Sequence, residues 1–226
     1  MKRSEINRIM VYARGIMEKH CFYLPAWANW HLSDWKENKG KVSQIMDNML
    51  GWDITDFGSG DFDKRGLFLF TLRNGRPDVD KKTYAEKIMI VKECQETPMH
   101  YHWSKMEDII NRGGGNLVIE LYNSTPTDGL SDSPVTFRID GVQHTIPAGG
   151  KAILAPGESI CIEQKVYHRF YGEPGKGTVL VGEVSMVNDD NLDNRFYESV
   201  GRFPLIDEDA EPLHLLVSDY DNLVRK

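Results

Sequence analysis

Four side chains that could hold a metal occur in order along the chain: His100 and His102, then Glu107, then His168 far downstream. Residues two apart on an extended strand share a face, so the imidazoles of His100 and His102 project together. Glu107 follows at an odd separation from His102, and plain alternation would turn it to the opposite face. The intervening Trp103-Ser104-Lys105-Met106 must therefore turn or bulge if the three groups are to meet, and Gly113 to Gly115 offer the next permissive turn. His168, between Tyr167 and Arg169, follows a strand-and-turn region and can supply a fourth group. Three imidazoles and one carboxylate suit Mn2+, Fe2+, Co2+, Ni2+ or Zn2+ and leave positions for water or substrate, whereas Ca2+ takes a site richer in oxygen. Alone, an HxH pair is more often hydrogen-bonded or solvent-facing, Glu107 a loop carboxylate and His168 a core histidine. The ordered set is what points to a metal.

The elements around this set change character along the chain. Ser4 precedes Ile6, Ile9, Met10, Ala13, Ile16 and Met17, whose spacing of three and four predicts an amphipathic helix ending near His20. An aromatic segment, Cys21 to Trp35, follows, and residues 41–50 again show helical spacing that stops at Gly51. From Trp52 onward short apolar runs alternate with glycine-rich turns. Strands are expected at 67–72, 84–91, 117–121, 135–139, 151–154, 159–162 and 178–184. The pieces between them are too short for helical crossovers, which favours a mainly β, antiparallel sandwich or barrel over a parallel sheet. No linker or repeat interrupts the pattern. The expectation is one domain, 1–226, with 1–50 a mainly helical extension covering the barrel.

Composition narrows the function classes. The 226 residues carry 27 Lys and Arg against 34 Asp and Glu, a net charge of -7, which disfavours nucleic acid and anionic membranes as partners. Three dispersed cysteines form neither a disulfide framework nor a zinc finger and fit a reducing cytoplasm. The start, MKRSEINRIM, lacks the apolar core of a signal peptide, and no stretch approaches the roughly 20 apolar residues of a membrane span.

The series His100, His102, Glu107 and Gly114, then Gly150, Pro156-Gly157 and His168, resembles the two-part cupin signature. That resemblance implies an antiparallel jelly-roll barrel with the metal inside it. Across almost the whole chain, and above all in HYHWSKMEDIINRGGG, VYHRFYGE and GEVSMVNDDNLDNRF, the sequence is similar to the cupin-type D-lyxose ketol-isomerase family. The resemblance implies a metal-dependent, usually manganese-containing isomerase that interconverts D-lyxose with D-xylulose and often D-mannose with D-fructose. It also implies His100, His102, Glu107 and His168 as ligands and an active-site role for Lys105.

Such a reaction moves a proton between adjacent carbons through an enediol and needs no redox chemistry. Lys105 is placed to hydrogen-bond or protonate a sugar oxygen. Glu183 alternates with Val181 on a strand before a polar loop and is the candidate base for the carbon-bound proton. The resemblance extends over the loop carrying Asp190 and Arg195, taken as substrate-binding residues, and Trp103 is taken to stack on a sugar face. A homodimer is the expected assembly. A cupin oxygenase and a noncatalytic sugar-binding protein remain as alternatives at this stage.

Overall fold

A computed structural model describes residues 1–225. The first helix, α1 (Arg3–Lys19), buries Ile6, Ile9, Met10, Ala13 and Met17 along one stripe. Ser4 does not cap it. Lys2 holds the capping position, and the Ser4 hydroxyl donates instead to Asp209 at 2.7 Å, fastening the helix start to the C-terminal segment. Two short helices follow, α2 (Leu32–Glu37) and α3 (Ser43–Asp47), so the helix expected over 41–50 is trimmed at both ends. Gly51 is the first residue of strand β1 (Gly51–Thr55) rather than a helix stop. Its φ of +129° suits glycine, and a Cβ there would run into the Tyr220 hydroxyl.

Eight strands form the larger sheet. In spatial order they are β1, β2 (Leu67–Arg73), β3 (Tyr84–Val91), β12 (Val179–Met186), β5 (Glu107–Gly114), β10 (Ser159–Ile162), β7 (Val135–Ile139) and β8 (Val142–Ile146). The smaller sheet runs β13 (Asn194–Phe196), β4 (His100–His102), β11 (Val166–Gly172), β6 (Leu117–Asn123) and β9 (Gly150–Leu154). Neighbours pair antiparallel throughout. The mainly β expectation with a helical cover is met, but among the described residues no ladder joins the two sheets. The strands form two sheets packed face to face, whose connections cross as loops.

The inner faces make one core, with Leu69, Met89, Val91, Ile109, Val179 and Val181 meeting Leu117, Ile119, Leu121 and Phe170. On β2, β3 and β12 the alternate residues Phe68, Phe70, Ile88, Ile90 and Leu180 pack outward under α1. Covered on both faces, these strands read as continuous apolar runs. Each such side chain taken fully out of water contributes roughly 1.5–3 kcal/mol. On β3 the inward parity of Met89 and Val91 also belongs to Lys87, a cation 3% exposed.

Six strands escaped the sequence reading, for identifiable reasons. β8 is exposed along nearly its whole length and lacks an apolar alternation. In β5 two of the three glycines read as a turn, Gly113 and Gly114, lie inside the strand, where the register against β12 shifts between Leu180 and Val181 and leaves Arg112 as a bulge. β1 and β11 mix buried polar residues with apolar ones, and β4 and β13 are only three residues long.

The C-terminal segment returns to the helices, packing Leu215, Val217 and Tyr220 against Trp35, Val42 and Met46. Buried Arg3 locks this return, donating to Asp219 at 2.8 and 3.0 Å and to Glu208 at 2.7 and 2.8 Å. Among the described residues no helix is long and apolar enough to cross a membrane. Arg3→Met strands the nearly buried Asp219 without its cation, a change that costs about 3 kcal/mol or more. Urea unfolding should show that loss, and an unchanged midpoint would mean that the ion pair adds nothing.

Candidate active site

The smaller sheet supplies the imidazoles. His100 and His102 share the inner face of β4, and β11 sets His168 directly opposite His100 in the ladder. The rings of His100 and His168 lie 4.2 Å apart between centroids, those of His102 and His168 5.4 Å, and one nitrogen from each of the three falls within 4.8 Å of the others. Nδ1 of His100 is 2.8 Å from the Pro98 carbonyl, and Nδ1 of His168 is 3.0 Å from that of Val166. A carbonyl only accepts, so each Nδ1 carries a proton, and in the neutral ring Nε2 is the nitrogen left with a lone pair.

The larger sheet supplies the carboxylate. Glu107 opens β5, and Trp103 to Met106 form the crossing between the sheets, which is how an odd spacing still brings Glu107 to the histidines. Asp193 pins this crossing: its carboxylate accepts from the backbone N–H groups of Ser104 (2.8 Å) and Lys105 (3.2 Å), and its carbonyl from that of Trp103 (3.0 Å). Glu107 then stands 3.0 Å from His168 Nε2 and 3.4 Å from His102 Nε2. His168 Nε2 is buried with no hydrogen-bond partner. A lone pair facing a carboxylate oxygen is an arrangement of acceptors, and a cation is the group that completes it. His100, His102 and His168 therefore fit a divalent metal, with the Glu107 carboxylate beside two of them.

Beyond Glu107 the charges alternate in sign. Lys105 Nζ lies 2.5 Å from Glu107 and 2.8 Å from Glu183, and Glu183 sits 3.4 Å from Lys87, its partner across the β12–β3 ladder. Ser185 donates to Glu183 at 2.9 Å. Lys87 continues to Asp190 at 3.1 Å, and Arg202 joins Asp190 at 3.4 Å to Asp53 at 2.6 Å. Four carboxylates face three cationic side chains, leaving one negative charge for a metal to compensate.

Burial and these partners set the ionisation states. Burial pushes the His100 imidazole well down, with His168 and His102 beside it acting in the same direction; His102 is lowered by burial and then by Lys105. Both are held neutral, as ligands must be. Burial opposes the charge of Lys105, but Glu107, Glu183 and Asp190 override it and raise the ammonium above the ordinary lysine range. Burial likewise works against Glu107, Glu183 and Asp190, yet Lys105 holds the first two carboxyls low, and Lys87 with Arg202 does so for Asp190.

The pocket brings together His100, His102, Lys105, Glu107, Glu183 and Asp190, with Met89, Ile109 and Phe170 on its apolar side. Two expected residues are not brought there. Trp103 alternates with Tyr101 and turns to the other face, its ring 4.9 Å from Tyr101 and under the Lys165 ammonium, so the expected sugar stacking is corrected. Arg195 pairs with Tyr101 on β13, while its neighbours Asn194 and Phe196 line the pocket; alternation sends the guanidinium outward, onto the Phe196 carbonyl. Phe196 is the aromatic at the site, 5.6 Å from the His100 ring. Lys87, Arg202 and Asp53 were not anticipated. Lys87 had a legible signal, a charge at an inward position of an apolar strand, whereas Arg202 lies in irregular chain without any periodicity.

The D-lyxose isomerase family pattern matches residues 1–220. The chain belongs to that family. It is 48% identical over 223 residues to a D-lyxose/D-mannose isomerase of Serratia proteamaculans, covering 97% of this chain and 98% of the relative. A D-lyxose/D-mannose isomerase of Escherichia coli O157:H7 is 47% identical over 225 residues, with the same coverage. Among solved structures, an L-ribose isomerase of Acinetobacter sp. DL28 superposes with a TM-score of 0.61 at 15% identity, covering 92% of this chain and 98% of that one, which shows a shared fold. The histidine cluster supports a site for a divalent metal.

Glu107→Gln keeps the shape of the side chain and removes its charge. Divalent-metal affinity, measured by competition with a chromophoric chelator, should fall at least about tenfold. Unchanged affinity would remove Glu107 from the ligand set.

Proposed function

We propose that this chain is a metal-dependent aldose–ketose isomerase that interconverts D-lyxose with D-xylulose, and D-mannose with D-fructose, through an enediol. The observation that carries the reading is the Lys105–Glu183 pair, 2.8 Å apart and buried against the acceptor cluster of Glu107 and the histidines. D-Lyxose and D-mannose share their configuration at C2 and C3, so a site that reads the carbonyl end accepts both.

His100, His102, His168 and Glu107 would hold the metal, which when bound supplies Lewis-acid stabilisation of the charge developing on the sugar oxygens. Manganese is the proposed ion, with Co2+, Fe2+, Ni2+ and Zn2+ as alternatives; the mixed nitrogen and carboxylate donor set supports this range. Glu183, kept ionised by Lys105 and Lys87, is in the form that accepts the carbon-bound proton and returns it to the neighbouring carbon. Lys105 donates from Nζ to the oxygen whose charge grows, and Asp190 accepts from sugar hydroxyls. Apolar Met89, Ile109 and Phe170 limit water around the proton in transit.

In the finer reading of the fold the two sheets are the halves of a cupin-type jelly roll in a single domain, 1–226, whose residues 1–50 are a mainly helical extension packed on it. A cytoplasmic setting is supported by the three free cysteines, and a homodimer by exposed Trp103, Met106 and Met186.

Purified protein, stripped and reloaded with Mn2+, should form ketose from D-lyxose and from D-mannose without consuming oxygen. Failure with all four sugars would end the isomerase reading, and oxygen-dependent product would favour a cupin oxygenase. Lys105→Met should lower kcat by about a hundredfold or more. Wild-type turnover at full metal loading would make the lysine peripheral.

A further inference from the structure

Among the described residues, Arg202 is the only lysine or arginine with a buried nitrogen that lacks a hydrogen-bond partner. Its Nη2 is committed to Asp53 at 2.6 Å and to Asp190 at 3.4 Å, while Nη1 donates to nothing. The ring of Phe203, 4.7 Å from the guanidinium carbon, stacks against it. A guanidinium is a rigid fork, so anchoring one arm fixes the direction of the other.

Arg202 lines the same pocket as the histidines but stands at the other end of the charged series, with Asp190, Lys87, Glu183 and Lys105 between it and Glu107. If the carbonyl end of a sugar lies at Lys105 and Glu183, the opposite end of its carbon chain lies toward Arg202. Asp190 there only accepts and Arg202 only donates. A hydroxyl does both, so an adjacent acceptor and donor suit the hydroxyls of a polyol better than a carboxylate or phosphate, which Asp190 would repel.

We propose that Arg202, paired with Asp190, binds the hydroxyls at the end of the aldose remote from the carbonyl and makes the reaction selective for sugars that carry them. The proposal rests on the isomerase reading above. It assigns Arg202 a contact with substrate beyond the structural tie to Asp53.

The test compares D-lyxose with its 4-deoxy and 5-deoxy analogues as substrates of the Mn2+-loaded wild type, Arg202→Met and Arg202→Lys. Wild type should prefer D-lyxose over at least one analogue by about tenfold or more in kcat/KM, because a site built to bond a hydroxyl penalises its removal. In Arg202→Met that preference should collapse toward one. Arg202→Lys keeps a cation beside Asp53 but loses the fork, and so provides a folded variant in which the preference should also shrink. An active wild type that does not distinguish the analogues, or variants that lose activity yet keep the wild-type preference, would overturn the proposal and leave a structural ion pair. A wild type inactive on D-lyxose and D-mannose would overturn the isomerase reading itself.

Discussion

A carboxylate buried against imidazole lone pairs is costly unless a cation stands on it, and much of the site follows from meeting that condition at Glu107. Lys105 is the cation that the chain itself provides, at 2.5 Å. Burying Lys105 then requires a second carboxylate, Glu183, whose burial in turn requires Lys87, and the demand passes through Asp190 and Arg202 to Asp53 on β1. Each member is tolerable because its neighbours carry the opposite charge. Removing one therefore strands the next, and the couplings along the series should be far from additive.

The two-sheet architecture makes this series possible. Imidazoles come from the smaller sheet, while Glu107, Glu183 and Lys87 come from adjacent strands of the larger one, so the reacting groups meet across the core rather than along one strand. Glu183 is flanked by Ile109 on one side and Lys87 on the other, a register that fixes its carboxylate between two cations. Arg3 holds the C-terminal return at Asp219, and the chain leading into that return carries Arg202 to the pocket.

Much of this was legible in the chain before folding. The HxH spacing placed two histidines on one face, and the odd offset of Glu107 required a turn, which the structure realises as the crossing between sheets. Strands 135–139 and 159–162 coincide with their apolar runs because their side chains alternate about the core, and 84–91 does because both of its faces are covered. Trp103 and Arg195 were misplaced for a common reason. Trp103 was judged by its residue type and Arg195 by the resemblance over its loop, whereas the parity of β4 and β13, too short to read from sequence, turns both away. Arg202 left no pattern at all, since its position is set by Asp53 and Asp190, distant in sequence and brought together only by the fold.

Anomalous diffraction from crystals of the Mn2+-loaded protein tests the central claim most directly. The account predicts one strong manganese peak per chain within bonding distance of His100, His102 and His168 nitrogens and a Glu107 oxygen, with Lys105 turned toward Glu183. A peak elsewhere, or one held without Glu107, would contradict it.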